Sequence, residues 1–507
     1  MKTLRYLKPL AMTAAMALML GACGNADEVN SPGEGQFATG GTGGTGGTGG
    51  TGGTGGGTGA SADCPTGFLN LGTVANGTLR SCGIPALVTG NLTIPYRPGT
   101  AYRIDGKVNV GEDLGSDAQN PRAGARSGVL TIEPGVTIFG GVAEYMAVNR
   151  GSQIIADGTA SRPIIMTSLN DLNGGPDLKG QWGGLVLAGR APINRCPPTV
   201  TSFPTNPTAC EFRFEAIQTI NWGGNAPTES SGILRYLQVK EAGYEVAPNE
   251  ELNGITFGAV GSGTTVDFVQ VHGSADDAIE FFGGTVNLRH IVLDQWDDDG
   301  LDTDEGYTGS IQFLINFSDN PTEEDRCFEA STAGSTANGV PLLRSAPKVS
   351  NFVCRHSVAT TPLTGQPSGI VLNSGTSYTF LNGYVYSANP AVPCFDIDGA
   401  STVAAPAPSF SSVAFSCAKG PYRNDDGDQN DAPQTIFTAG SNNVATGYTP
   451  TFSQTFINGS NESARTATNP TTTSAFFLNV PYTGAVSGPN DNWYVGWTCG
   501  LAGGTGC

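Results

Sequence analysis

The sequence predicts an all-β protein built as a parallel β-helix, a solenoid of short strands and turns. Short apolar stretches separated by Gly, Asn and Asp recur along the chain, as in residues 129–132 and 136–138 on either side of Glu133-Pro134-Gly135. This is the pattern of short strands joined by turns. Similar segments also return every 20–24 residues, which is about the length of one solenoid coil.

The clearest repeat lies in the middle of the chain. The acidic and apolar residues of segment 276–280 return 22 residues later, in segment 298–302. Three further likenesses are residues 254–257 with 278–281, residues 265–268 with 285–288, and a later copy at 369–372. A leucine-rich repeat has a similar period, but the leucine ladder that it requires is not present. A β-sandwich or a β-propeller remains an alternative.

The N-terminus has the features of an export signal. Lys2, Arg5 and Lys8 precede an apolar run over residues 10–20, which is too short to span a bilayer as a mature helix. The run ends at Leu20-Gly-Ala-Cys23, which resembles the lipobox of bacterial lipoproteins. The resemblance implies cleavage before Cys23 and acylation of its thiol. Because Gly24 is not an aspartate, the resemblance also implies sorting to the outer membrane. We therefore expect the folded part to be an anchored domain that is exposed at the cell surface.

Composition and charge fit an exported protein. The chain carries 25 Lys and Arg against 44 Asp and Glu, and charged residues make up 14%. Loss of the signal would leave 22 basic residues and a net charge of −22. Such a chain does not bind nucleic acid or an anionic membrane through bulk charge. Its acidic clusters could instead bind cations or basic partners.

Four regions follow from the pattern. Residues 1–22 are the predicted signal, and residues 23–60 are a tether that is wholly Gly and Thr from Thr39 to Gly59. Such a segment has no large apolar side chains to bury, so nothing offsets the entropy that it would lose on becoming ordered. As a flexible coil it would have an r.m.s. end-to-end distance of roughly 35 Å. Residues 61–420 are the predicted β-helix. Residues 421–507 lose the repeat and are predicted to be an irregular, β-rich cap on its last coil.

The cysteines indicate a disulfide framework. Ten cysteines follow Cys23, and an even number in an exported chain predicts disulfides. Pairing of nearest neighbours gives the bonds 64–82, 196–210, 327–354, 394–417 and 499–507. Sequence alone does not fix this connectivity, but a metal site is disfavoured because no Cys-x-x-Cys motif occurs.

One part of the chain resembles a known superfamily. Residues 130–138, 149–152, 156–160 and 163–168 look like secreted bacterial right-handed β-helix proteins of the pectate-lyase-like superfamily. The likeness covers roughly residues 100–400 and implies a right-handed parallel β-helix. It leaves function open, because that superfamily includes lyases, glycoside hydrolases and adhesins.

The strongest indication of a functional site is the concentration of acidic residues in segments 276–280 and 294–305. Equivalent positions on neighbouring coils lie about 4.8 Å apart, so stacked carboxylates repel one another unless a cation or shared protons intervene. Ca²⁺ collects six to eight oxygen ligands, which makes calcium the expected cofactor. The predicted ligands are Asp276, Asp277, Glu280, Asp298, Asp299 and Asp302. The alternative is that these are solvated turn residues. A weaker calcium-loop pattern is present at Asp426, Asp428 and Asn430.

Two functions compete. The first is a surface lipoprotein whose β-helix binds polysaccharide or a partner protein, or serves a structural role. The second is a calcium-dependent polysaccharide lyase or a glycoside hydrolase, and a lyase would take its base from a residue such as Arg289, Lys240 or Arg235. Polygalacturonase-like hydrolases also carry Gly-His-Gly and Arg-Ile-Lys segments, which this sequence lacks. The three histidines, at positions 272, 290 and 356, are predicted to be structural.

Replacing the predicted lipidation site tests the N-terminal interpretation. The Cys23→Ala chain should lose its lipid and leave the membrane fraction, because the acylated thiol is the anchor. Mass analysis of the natural mature N-terminus should find Cys23 carrying two or three acyl chains. An unmodified terminus at another residue would contradict the lipobox interpretation.

Overall fold

The structure is a computed structural model. It describes residues 59–507 apart from 204–205, 215–216, 218, 248–249, 320–325, 333, 338–339, 364–365, 405, 424–430 and 502–506. The predicted signal, Cys23, nearly all of the tether, and the pattern at Asp426, Asp428 and Asn430 lie outside the described residues. Within them, no helix is long and apolar enough to cross a membrane.

Short strands are the main regular secondary structure of the described chain, in keeping with the predicted all-β class. In chain order they are β1 (Leu69–Val74), β2 (Leu79–Gly83), β3 (Leu87–Val88), β4 (Gly90–Ile94), β5 (Thr100–Arg103), β6 (Lys107–Val110), β7 (Gly128–Ile132), β8 (Thr137–Gly140), β9 (Tyr145–Val148), β10 (Gln153–Asp157), β11 (Ile164–Ser168), β12 (Leu185–Ala188), β13 (Phe212–Arg213), β14 (Asn221–Trp222), β15 (Gly232–Lys240), β16 (Glu245–Ala247), β17 (Glu250–Glu251), β18 (Ile255–Gly258), β19 (Thr265–His272), β20 (Ile279–Phe282), β21 (Asn287–Asp294), β22 (Asp299–Asp304), β23 (Ser310–Ser318), β24 (Arg326–Ala330), β25 (Thr336–Ala337), β26 (Val340–Pro341), β27 (Lys348–His356), β28 (Ser368–Leu372), β29 (Thr379–Ser387), β30 (Phe395–Ile397) and β31 (Ser409–Cys417). The helices are α1 (Leu169–Leu172), α2 (Ala400–Val403), α3 (Ala432–Ala439) and α4 (Ser460–Ser463), with 3₁₀ turns at Pro207–Ala209 and Pro470–Thr472.

Two long sheets form the parallel β-helix. A ten-stranded sheet runs β3-β6-β9-β12-β18-β20-β22-β24-β28-β30, and a 15-stranded sheet includes β15-β19-β21-β23-β27-β29-β31. Every pairing in these runs is parallel, so the chain climbs one coil at each return to a sheet. In the early coils β10 pairs with the first half of β15 and β11 with its second half, so the larger sheet covers two sides of the coil.

A row of left-handed residues bends the larger sheet between those two sides. One residue in each of seven successive strands has a positive φ and is skipped in the pairing: Tyr236, Phe268, His290, Phe313, Asn351, Asn382 and Ser412. This conformation is unfavourable for bulky side chains. Ring stacking compensates: centroids are 4.5 Å apart for Tyr236 and Phe268, and 4.3 Å for Phe268 and His290.

The predicted register is confirmed in part. Glu280 pairs with Asp302, a separation of 22, and residues 254–257 align with 278–281 as predicted. The match of residues 265–268 with 285–288 is wrong, because Thr265 pairs with Asn287. The prediction of a 20-residue separation relied on Thr285-Val286, which has the same residues as Thr265-Val266 but lies two positions before the equivalent place on the next coil. Later coils are longer, since Leu301 pairs with Phe328 and Phe328 with Ile370.

The core fills the coil interior with stacked apolar side chains. On the ten-stranded sheet, one inward column runs from Ile255 to Phe395, and its members are fully buried. Alternate residues on the same strands therefore face outward. This alternation decides which acidic side chains reach the outer face.

All five nearest-neighbour disulfides are confirmed: 64–82, 196–210, 327–354, 394–417 and 499–507. Cys327 on β24 and Cys354 on β27 are both fully buried, so this bond crosses the interior of one coil. A covalent bond of this kind stabilises chiefly by restricting the unfolded chain.

The C-terminal part differs from the β-rich cap that was predicted. Helix α3 covers the last coil, where Phe437 stacks on Phe415 with ring centroids 4.0 Å apart. The described residues from 440 to 501 contain helices and isolated bridges but no extended strand. This part lies along the outer face of the larger sheet, whose outward apolar side chains it buries. An apolar side face required a cover that a cap at the end could not supply.

Candidate functional site

The acidic cluster lies where two neighbouring coils enter the ten-stranded sheet. Strands β20 and β22 are in register, with Ile279 over Leu301 inside the coil. Glu280 and Asp302 are the next residues and therefore face outward, side by side. The predicted stacking of these two carboxyls is confirmed.

The turns that precede the strands supply the remaining carboxyls. The Ala278 N–H donates to the Asp299 carbonyl at 2.9 Å, and the Asp299 N–H donates to Asp277 Oδ1 at 3.0 Å. These two hydrogen bonds, one between backbone groups and one to the Asp277 carboxylate, hold Asp277 and Asp299 in equivalent positions on adjacent coils. Asp276, Asp277 and Asp299 are all buried.

The carboxyls form two groups at the spacing of metal ligands. One oxygen each from Asp276, Asp277 and Asp298 lies within 4.8 Å of the other two. The same holds for Asp277, Glu280 and Asp302. Two oxygens bound to one Ca²⁺ at 2.3–2.6 Å can be at most about 5 Å apart, so both groups meet this limit. Asp277 belongs to both.

Burial and mutual repulsion perturb three of these carboxyls. Burial, followed by the charges of Asp276 and Asp299, raises the pKa of Asp277 well above its usual value. Burial also raises the pKa of Asp299 and of Asp302, and for both of them Glu329 is the largest additional cause. Removing water from a carboxylate beside like charges favours the protonated form.

Two buried oxygens lack hydrogen bonds. Oδ1 of Asp299 and Oδ1 of Asp302 accept none from the residues that the structure describes. Leaving a buried acceptor unsatisfied is costly, so these atoms favour a bound cation or a bound proton. Carboxylate oxygens are hard donors of the kind that Ca²⁺ prefers. The residues present therefore fit a calcium ion.

Sequence reasoning missed the third coil of the site. Glu329 pairs with Asp302 across β22 and β24, and Arg326 pairs with Asp299. Arg326 and Glu329 form a salt bridge of 3.0 Å. On the other side, Asn253 Nδ2 donates to Glu280 Oε2 at 2.6 Å. Extending the register past Asp302 could have found Glu329, but that coil is 27 residues long instead of 22.

The basic residues that the sequence suggested lie elsewhere. Lys240 pairs with Asp171 at 2.7 Å and Arg235 with Asp157 at 3.1 Å. Arg289 stacks on Phe476 and donates to its carbonyl. All three belong to the larger sheet, so the structure does not bring them to the acidic cluster.

The histidines have partners away from the acidic cluster. His272 contacts Asp294 at 2.6 Å and Asp177 at 2.9 Å. Burial opposes its charged form, but these two carboxylates outweigh that effect and raise its pKa to about 10. His290 contacts Asp267 at 2.7 Å, and His356 packs edge-on to Trp296. His272 and His290 therefore link neighbouring elements through these contacts, as a structural role requires.

Another buried carboxyl lies at the far end of β22. Glu305 is 1% exposed, and its Oε1 accepts from Arg195 Nε at 2.6 Å. Burial raises the pKa of Glu305 to about 7 even though Arg195 lowers it. This group therefore titrates near neutral pH.

The comparisons identify the fold family. A family model described as a pectate-lyase-like beta helix domain matches residues 119–497, which is more than half of the chain. No curated protein matches the chain, and no solved structure matches it.

Titration of Glu305 predicts a pH-dependent stability. Its folded pKa exceeds its unfolded value, so the native state binds the extra proton between about pH 4.5 and 7. Glu305 should therefore lower the free energy of unfolding as pH rises through that window, by on the order of 3 kcal/mol. Glu305→Gln should be more stable relative to the natural chain at pH 8 than at pH 5, in denaturant unfolding at both pH values. An equal difference at both pH values would contradict the assignment.

Proposed function

We propose a function from one premise: the chain belongs to the family of pectate-lyase-like β-helix domains. In this proposal it is an exported lipoprotein, anchored to the outer membrane through Cys23 and exposed at the cell surface. Its β-helix is a calcium-dependent binding module for polysaccharide. A protein ligand or a purely structural role is the alternative within the same class.

The arrangement of the acidic residues carries the proposal. Two carboxylate groups at ligand spacing share Asp277, and two buried oxygens nearby accept no hydrogen bond from described residues. Solvated turn residues would be exposed and would keep their usual pKa values, whereas Asp277 and Asp299 are buried with raised ones. This contrast favours a cation site over solvated turns.

The chain's own residues would hold the ion and orient what binds it. Asp276, Asp277 and Asp298 would form one set of ligands, and Glu280 and Asp302 would complete the second with Asp277. The Asn253 amide fixes Glu280, since it donates to that carboxyl. A Ca²⁺ ion bound there would offer its remaining coordination positions to carboxylate or hydroxyl oxygens of an acidic glycan.

The rest of the chain supports an exported, anchored protein. The basic n-region, the apolar run and Cys23 resemble a lipoprotein signal, and a Gly- and Thr-rich tether follows. Five disulfides suit an oxidising compartment. A flexible tether would let the folded domain contact ligands beyond the lipid surface.

One observation favours a lyase as the second candidate. Arg326 lies beside Asp299 on the next coil, so a guanidinium borders the acidic cluster. Lyases that resemble this family use a basic residue to take a proton next to a uronate carboxylate. Arg326 is held by Glu329 at 3.0 Å, which keeps it charged and makes it a better anion-binding group than a base.

Calcium should stabilise the fold. At 10 mM calcium and a Kd of 10⁻⁴ to 10⁻³ M, binding adds about 1.4–2.7 kcal/mol to the free energy of unfolding. The melting temperature should rise by a few degrees, because a large domain shifts by roughly 2 °C per kcal/mol. Asp298→Asn with Asp299→Asn should abolish the rise, as measured by calorimetry with calcium and with chelator.

A matched control uses acidic residues outside the cluster. Asp105→Asn with Asp157→Asn removes the same charge from partly exposed positions, and the calcium response should be retained. A melting curve unchanged by chelation would identify the cluster as protonated or solvated. The calcium-dependent binder and the calcium-dependent lyase would both then be wrong.

Glycan binding separates the two candidate functions. On an array of immobilised polysaccharides, the folded chain should bind those that contain uronates in millimolar calcium, and it should be released by chelator. A binder leaves the polysaccharide intact, whereas a lyase produces unsaturated ends that absorb ultraviolet light. Cleavage that is lost in Arg326→Ala would establish the second candidate and refute the first.

A further inference from the structure

The C-terminal segment, defined as residues 447–501, is held on the larger sheet by a row of side-chain amides. Gln270 Nε2 donates to the Cys499 carbonyl at 3.0 Å, and its Oε1 accepts from the Cys499 N–H at 2.8 Å. Gln312 makes the same pair of bonds with Leu478, both at 2.8 Å. Further donors to segment carbonyls are Gln238 to Trp497, Asn351 to Tyr482 and Asn382 to Thr468.

These bonds recognise the backbone of the segment. In the bonds named above, the amides pair with carbonyl or N–H groups of the segment, as the edge of a β-sheet does, and not with its side chains. Gln270, Gln312, Asn351 and Asn382 are fully buried beneath the segment. Beside them, outward apolar residues of the sheet such as Val292 and Ile315 pack with Phe456, Val486 and Trp497 of the segment.

No covalent bond ties the segment to the β-helix except the chain itself. Four disulfides close within residues 64–417, and the fifth, Cys499–Cys507, closes within the C-terminal part. These five bonds use all ten cysteines that follow Cys23. Apart from its connection along the chain, the segment is therefore held on the β-helix by non-covalent contacts alone, as a bound ligand would be.

We infer that this amide row is a polypeptide-binding surface and that a second copy of the chain can supply its occupant. The segment of a second copy can make the same backbone hydrogen bonds and the same apolar contacts as the chain's own segment. Exchange of the segment between two copies therefore loses no contact. Thr446 and Gly447 are exposed, and the space around Gly447 is open, so the connection there can change direction. The product is a domain-swapped dimer.

Fragment exchange tests the inference. A protease site is inserted after Thr446 in the full chain, which is prepared at natural abundance and with ¹⁵N label, cleaved and mixed. We expect the fragment to stay bound after cleavage and native mass spectrometry to detect mixed pairs, formed faster than the uncleaved chain unfolds. Gln270→Ala with Gln312→Ala removes the four hydrogen bonds that these side chains make to the segment, and it should speed exchange by about 30-fold.

Gln153→Ala is the matched control, because Gln153 donates to the Ser230 carbonyl on a different side of the coil. Its exchange rate should equal that of the natural sequence. Three results would overturn the inference: a fragment that leaves and does not rebind, mixing no faster than global unfolding, and aggregation of the cleaved chain. In each of them the segment is an integral part of the folding unit and not a ligand.

Discussion

Coil-to-coil hydrogen bonding is the constraint on which the rest of the structure depends. Each strand pairs in parallel with the strand one coil earlier, so equivalent residues lie about 4.8 Å apart in columns. A side chain in such a column meets its own counterpart above and below. Side chains that stack favourably on their own kind, such as apolar and aromatic ones, are therefore favoured in a column. Side chains that repel their own kind, such as carboxylates, require a compensating interaction.

The columns show both outcomes. Apolar residues stack inside the coil, and aromatic rings stack at the left-handed bend, where ring contacts offset an unfavourable backbone conformation. Glu280, Asp302 and Glu329 form a column of the opposite kind, in which like charges are adjacent. Repulsion in that column is the physical reason for expecting a cation.

The sequence predicts the features that repeat and misses those that depend on contacts distant in the chain. The register of Asp277 and Asp299 is visible because both turns have the same length, and the disulfides are visible because each closes locally. Glu329 is missed because an insertion lengthens its coil. Arg289 and Lys240 are close to the cluster in sequence but lie on another side of the coil, which periodicity alone does not reveal. The cover of the larger sheet is also missed, since Gln270 and Cys499 are 229 residues apart.

The positions of the disulfides have a mechanical consequence. A solenoid pulled from its ends yields coil by coil, since each coil contacts only its neighbours. Each disulfide withholds the residues that it encloses from extension, and the bond between Cys327 and Cys354 encloses a separation of 27. At roughly 3.3–3.6 Å per residue, that bond alone prevents about 90 Å of chain from extending under force. A stretched molecule of this kind is shorter than its residue count suggests, and its covalent bonds bear the load where its hydrogen bonds have already broken.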